Sequence, residues 1–293
     1  MLQYKKTLGQ ILFDICNTVI LLLLTLVTLY PIYYVLVASF SDPMQIYQSG
    51  GLLLFPVKFN IQNYITALNY DPIWIGYRNT IFYVLVGSAM RVLLTVMGAY
   101  ALTRRGLPGK NFIMFAIMLT MYFSGGLIPS YMVMKELGLL DTVWAVLLPG
   151  CITTYNLIVT ISYFRGLPYE LEESAKIDGA GEFTILFKIM LPLAKPIIAV
   201  ISLYYMVALW NTYFGPMIYL DDANLKPLQV VLREILILSG ASKEVSAGDQ
   251  PVEAFADGMK YAVIMIATVP ILCVYPFIQK YFVKGVTIGA VKG

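Results

Sequence analysis

Six charge-poor apolar runs, at about 15–38, 80–103, 111–134, 142–164, 189–220 and 260–283, constrain this chain more than any other feature. Each is long enough to cross about 30 Å of hydrocarbon as a helix of roughly 20 residues. With 59% apolar and only 13% charged residues, the chain does not have the surface of an ordinary soluble domain. The runs are continuously apolar, whereas barrel strands alternate apolar and polar side chains, so a helical fold is expected. The expected architecture is an all-α membrane protein of six transmembrane helices forming a single transmembrane domain over residues 1–293. The first run is longer than a signal peptide core, and Tyr30-Pro31 does not resemble a cleavage site, so it is expected to stay as an anchor.

Lys and Arg set the orientation. The densest basic pairs, Lys5 with Lys6 and Arg104 with Arg105, fall on the same side, which predicts that both termini are cytoplasmic. A net charge of +3 fits such anchoring and gives no nucleic-acid surface. Cys16, Cys151 and Cys273 lie in or near apolar runs, where thiols act as small hydrophobes, and no disulfide is expected. Histidine is absent, which removes the commonest metal ligand and the commonest acid–base group near neutral pH. No catalytic constellation emerges, and no cofactor or metal site is expected.

Two outer segments exceed simple turns, at about 41–73 and 221–258. In the second, Leu228, Val231, Leu232, Ile235 and Leu238 recur at helical spacing, predicting a short amphipathic helix. The small, polar stretch 240–258 that follows is expected to stay loose unless a partner orders it.

The inner connection between runs four and five, about 165–189, is long and acidic. Pro168 suits a first helical turn, and Glu170, Glu172 and Glu173 favour the positive end of a helix dipole. Leu171, Ala175 and Ile177 give a narrow apolar face. Gly179 and Gly181 offer a cap and turn before a second helical stretch, Phe183 to Met190. Physically, such an element either plugs into a groove on a soluble subunit or serves as an interfacial linker.

The segment Glu173–Pro192, ESAKIDGAGEFTILFKIMLP, resembles the cytoplasmic docking loop of ABC importer permeases, with Glu173, Ala175, Gly179, Ile189, Leu191 and Pro192 at the family's spacings. Ser174 departs from the family's alanine but stays small. The segment YFSGGLIPSYMVMKELGLLDTVWAVLLPG and the tail GAVKG extend the resemblance over nearly the whole chain. They are similar to the carbohydrate branch of type I importers, to the second membrane subunit of maltose transporters, and most of all to the subgroup linked to polysaccharides and lipoprotein sugar-binding proteins. The resemblance implies a non-catalytic subunit in a bacterial cytoplasmic membrane. Its partners would be a second permease, two ATPase subunits carrying ATP and Mg, membrane lipid and an extracellular or periplasmic sugar-binding protein that delivers an oligosaccharide. It further implies that Glu173, Ser174, Ala175, Asp178 and Gly179, with Ile189, Leu191 and Pro192 behind them, form an ATPase-docking coupling helix between helices four and five. By the same analogy, 240–258 reaches toward the binding protein and the tail after Lys284 toward the ATPases. The sequence Gly106 to Asn111, GLPGKN, lacks the spacing of a nucleotide-binding loop, so ATP chemistry is expected on another chain.

Arg91 is the one charged residue near the middle of a run, which makes it a functional candidate. Its partner is an anionic sugar, a carboxylate on a second permease, or backbone carbonyls and water. Tyr204, Tyr205, Trp210, Asn211 and Tyr213 on run five, with Tyr155 and Asn156 on run four, offer the aromatic plates and amides of a sugar path, or alternatively interface anchors. Gly87 and Gly98 suit close helix packing. Rival readings are a permease for a non-sugar solute, an ion-coupled secondary transporter and a membrane enzyme. The second would place acidic residues at mid-membrane and the third a nucleophile or acid–base pair near an interface.

Overall fold

The computed structural model describes residues 7–48, 51–104, 106–245 and 259–273, and among them every regular element is helical. The chain divides into two compact units, one running up to Tyr70 and including Glu234–Val269, the other centred on Asp71–Arg233.

In the first unit, α1 (Leu8–Ser39) opens with a capping box in which Thr7 Oγ1 accepts from Gln10 N and Gln10 Oε1 accepts from Thr7 N. Leucine-rich and exposed along most of its length, α1 is built to face lipid or another chain. Val37 and Ala38 at its end pack with Ile46 and Leu53, a cluster that also takes up Tyr34, Val57 and Tyr261. Two short helices follow, α2 (Pro43–Gln48) and α3 (Gln62–Leu68). Asn63 Nδ2 donates to Ser41 O at 3.0 Å and pins α3 to the end of α1.

The second unit is organised around α4 (Asp71–Thr103). It is followed by α5 (Lys110–Tyr122), α6 (Leu127–Glu136), α7 (Trp144–Leu147), α8 (Thr154–Arg165) and α9 (Glu170–Ile177). Next come α10 (Glu182–Thr184), a π-helical stretch Ile185–Met190, α11 (Leu191–Leu193), α12 (Lys195–Trp210) and α13 (Phe214–Tyr219). The helix α14 (Leu228–Val245) runs on from this unit into the first, and α15 (Met259–Cys273) is the last described element. The main core joins Val96, Ala99 and Tyr100 of α4 to Leu157, Ile161 and Phe164 of α8, and to Ile197 and Ile201 of α12. In a bilayer such side chains gain little from leaving lipid, so this three-helix contact is held by close packing and by hydrogen bonds across it such as Thr95–Tyr205, and it sets the frame for what is attached to it.

The six continuous spans expected from hydropathy are corrected in detail. Among the described residues two helices, α1 and α4, are long and apolar enough to cross a membrane, or four if each bent pair counts as one span. The third run bends by 118° between α5 and α6, where Ser124-Gly125-Gly126 interrupts the helix and Gly126 adopts φ +85°. The fifth bends by 84° at Ala194, between Pro192 and Pro196, because a proline four residues on removes an N–H and crowds the earlier carbonyl. The fourth is interrupted outright. After α7, Pro149 and Gly150 (φ +71°) turn the chain before α8 begins. The sixth is α15 up to Cys273, and its remainder lies outside the described residues.

Candidate functional site

The acidic helix α9 starts at Glu170, two residues later than Pro168 suggests, with Glu170, Glu172 and Glu173 in its first turn. Its end is a Schellman turn. Gly179 takes φ +79°, Gly179 N donates to Lys176 O at 3.0 Å, and Ala180 N donates to Ala175 O at 2.9 Å. A side chain at Gly179 would meet open space, so only the left-handed backbone demands glycine there.

Around this helix four charges alternate in a ring. Arg104, just past the end of α4, pairs with Glu172 and lies 3.9 Å from Glu182 Oε2. Lys176 Nζ bridges the same two carboxylates at 2.9 and 3.1 Å. Tyr100 donates its hydroxyl to Glu182, and its ring lies 4.0 Å beneath the Arg104 guanidinium. The hydrogen bond from Tyr100 outweighs partial burial and holds the Glu182 carboxyl below its ordinary 4.5, while the bond to Glu172 leads in raising Lys176 above 10.5. The Glu182 contribution is complete above the ordinary carboxylate value and fades as pH falls through its depressed one. The Lys176 contribution is complete below 10.5 and fades as pH rises through its raised value, so both contributions are present across the physiological range.

Of the docking residues expected from sequence, Glu173, Ser174, Asp178 and Gly179 are exposed, Ala175 is buried in the main core, Ile189 and Leu191 are half-buried, and Pro192 is exposed beside the bend. The apolar face is divided. Ala175 points inward, whereas Leu171 and Ile177 face out, Ile177 at 82% exposure, with Phe183 and Phe187 exposed nearby. The outer surface of α9 is therefore mixed acidic and apolar, the chemistry of a helix that docks into a protein groove. A cleft of about 270 Å³ lies beside it, lined by Arg104, Arg165, Pro168, Tyr169, Glu172 and Lys176 among others.

The substrate-path residues separate into two sets. Arg91, Asn156 and Tyr205 are buried. Arg91 Nη2 donates to Pro149 O at 2.7 Å and to Val146 O at 3.3 Å, so its partners in this chain are the carbonyls released by the break in the fourth run. Tyr205 shares a hydrogen bond of 2.7 Å with Thr95 and accepts one from Thr153 N at 3.2 Å, joining α4, α12 and the start of α8. The second set is accessible. The rings of Tyr155 and Tyr204 stand 6.0 Å apart, and Trp210 meets Tyr77 edge-on at 6.3 Å. Asn211 and Tyr213 are exposed at and beyond the end of α12.

The amphipathic helix expected from residue 228 forms and extends to Val245, so the stretch 240–258 is helical at its start; 246–258 and the tail after Lys284 lie outside the described residues. Sequence reasoning missed the ring. Arg104 entered only as an orientation signal, although the spacing of Glu172 and Lys176 is that of an i,i+4 pair.

Residues 90–288 match the family described as binding-protein-dependent transport system inner membrane component. The chain is 43% identical to the polygalacturonan/rhamnogalacturonan transport system permease protein YtcP of Bacillus subtilis over 96% of this chain and 99% of that one. It is 41% identical to Protein LplC of the same organism, over 96% and 95%. Among solved structures, a bacterial ABC transporter involved in the import of the acidic polysaccharide alginate superposes with a TM-score of 0.85 at 33% identity, covering 96% of this chain and all of that one.

Proposed function

The chain belongs to the family of inner-membrane components of binding-protein-dependent transport systems, the permease subunits of ABC importers, and from that premise we propose that its cargo is an oligosaccharide or polysaccharide fragment of the acidic class. The observation that carries this reading is the likeness, over nearly the full chain, to a polygalacturonan/rhamnogalacturonan permease and to an alginate importer. The chain acts as a single permease domain of six spans, bent or broken ones included, in a bacterial cytoplasmic membrane with both termini inside. The assembly holds a second permease, two ATPase subunits with their ATP and Mg, and a sugar-binding protein outside.

In this reading α9 is the coupling helix. Glu173, Ser174 and Ile177 enter a groove on an ATPase subunit, and closure of the ATPase pair carries α9 with it. Movement passes through the π-helix and the bend at Ala194 into α12, which bears Tyr204, Tyr205 and Trp210. The accessible pair Tyr155 and Tyr204, with Trp210, Asn211 and Tyr213, suits stacking and hydrogen bonding to sugar rings. Arg91, Asn156 and Tyr205 hold the walls of that path in place.

The test is uptake of labelled oligogalacturonide and sugar-stimulated ATP hydrolysis in vesicles holding the assembled complex, with Glu173→Ala and Gly179→Ala made singly. Gly179→Ala strains the left-handed turn by about 1–2 kcal/mol without a clash. Both activities are expected to fall by about tenfold or more, within the range of measured coupling energies, while the ATPases lose their hold on the permease. Uptake and co-purification at wild-type levels in both variants would end the docking reading.

A further inference from the structure

Seen from α9, the covalent route into the rest of the fold is soft. The helix leaves through Gly179, Ala180 and Gly181 before α10 begins, and two glycines in a three-residue turn transmit force poorly. An eight-residue helix is also too short to hold its own place, and its buried side chains are only Glu172 and Ala175. The ring of charges bypasses that turn. Arg104 and Lys176 each reach Glu172, before the glycines, and Glu182, after them, and both carboxylates are thereby fastened to the end of α4.

We infer that Arg104 is a positioning residue that delivers displacement of α9 to α4, and through α4 to the broken fourth run. Arg104 lies 13 positions beyond Arg91, about 20 Å along a helical rod. Arg91 grips Val146 O and Pro149 O, on either side of the residue where α7 gives way to the turn. One stiff helix therefore has a cationic grip at each end of its inner half, one on the docking element and one on the interrupted wall. The site is chemically suited to bear load. The Glu172 side chain is 9% exposed and that of Arg104 18%, so their pair is weakly screened by water and salt, and the guanidinium is stacked on Tyr100 as well. The inference rests on α9 being the ATPase-docking helix.

The experiment uses the whole complex in vesicles with Arg104→Gln, Arg104→Lys and Glu182→Gln. It reads two ratios, labelled oligogalacturonide imported per ATP hydrolysed and hydrolysis with loaded binding protein over hydrolysis without it. In Arg104→Gln both ratios are expected to fall about fivefold or more, as for a lost coupling interaction, with the ATPases still co-purifying. Arg104→Lys, which keeps the charge, is expected to recover part of the loss, and Glu182→Gln to show a smaller fall. A merely structural role would reduce the amount of complex and leave both ratios unchanged; that result overturns the inference. Should Arg104→Gln fail to assemble, Glu182→Gln decides on the same ratios, since Glu182 is half-exposed and its loss leaves the Arg104–Glu172 pair in place. If α9 does not dock, Glu173→Ala and Gly179→Ala complexes import normally. If only this inference fails, those two remain defective while the Arg104 variants behave as wild type.

Discussion

Replacing Arg91 by leucine is expected to lower the thermal midpoint of the purified complex and the yield of folded permease, with a loss of about 1–3 kcal/mol. The Val146 carbonyl is buried and that of Pro149 partly so, and among the described residues both accept from Arg91 Nη2. A buried acceptor without a donor costs roughly 1–3 kcal/mol. Hydrogen bonds inside membrane proteins average less, about 0.6 kcal/mol, which argues for the lower part of the range at the longer contact. Arg91→Lys keeps the charge, but its compact ammonium on a flexible stem is not held where the rigid guanidinium places Nη2 between the two carbonyls, so an intermediate loss is expected. An unchanged midpoint in Arg91→Leu would mean that the break closes on other donors. A stable Arg91→Leu complex that stops importing acidic oligosaccharides while keeping neutral ones would instead assign Arg91 to the cargo.

The break that Arg91 holds shows why parts of the fold were legible in sequence and others not. Gly179 could be read because a left-handed helix end requires one residue type and leaves it in the chain. The acidic first turn of α9 was readable for a similar reason, since dipole and carboxylates are local. Pro149-Gly150 was equally visible, yet a hydropathy window averages over it and returns one continuous span. Whether Arg91 faces cargo or carbonyls depends on how that span breaks, and no local pattern records it. Tyr205 was grouped with Tyr204 because adjacent aromatics look alike in sequence. One turns into the Thr95–Thr153 network and the other stays accessible beside Tyr155, a difference set by helix rotation alone. The Arg104–Glu172 pair joins residues far apart in the chain, and only the packing of α4 against α8 brings them together.

A second stripe on α4 begins before the expected span of 80–103 and runs into it, and it carries the other large effect. Gly76, Asn79, Thr80 and Tyr83 recur at helical spacing and seat the segment that leads into α14. Asn79 Nδ2 donates to Asn224 O at 2.6 Å and Lys226 O at 3.0 Å, Tyr83 donates to Leu225 O at 2.8 Å, and Thr80 Oγ1 accepts from Leu228 N at 2.9 Å. Gly76 makes this approach feasible, for a Cβ there would sit 2.9 Å from Leu228 Cα and 3.1 Å from Leu228 N. Those atoms are backbone and cannot swing aside, so α4 and the start of α14 must separate, stretching these four hydrogen bonds. Overpacking of this kind costs about 1–3 kcal/mol, against a gain of up to about 1 kcal/mol in helix propensity for alanine. Gly76→Ala is therefore expected to be destabilising, and Gly76→Leu to unseat the segment and raise protease cleavage within 223–233. Gly98 on the same helix is the control, because its Cβ would meet Leu157 Cδ1 at an ordinary 3.5 Å and Gly98→Ala should be neutral or slightly stabilising. Equal midpoints for Gly76→Ala and Gly98→Ala would show that the close approach bears no load. A lower midpoint for Gly76→Ala alone would place the seating of α14 on α4 among the contacts that hold this face of the permease together.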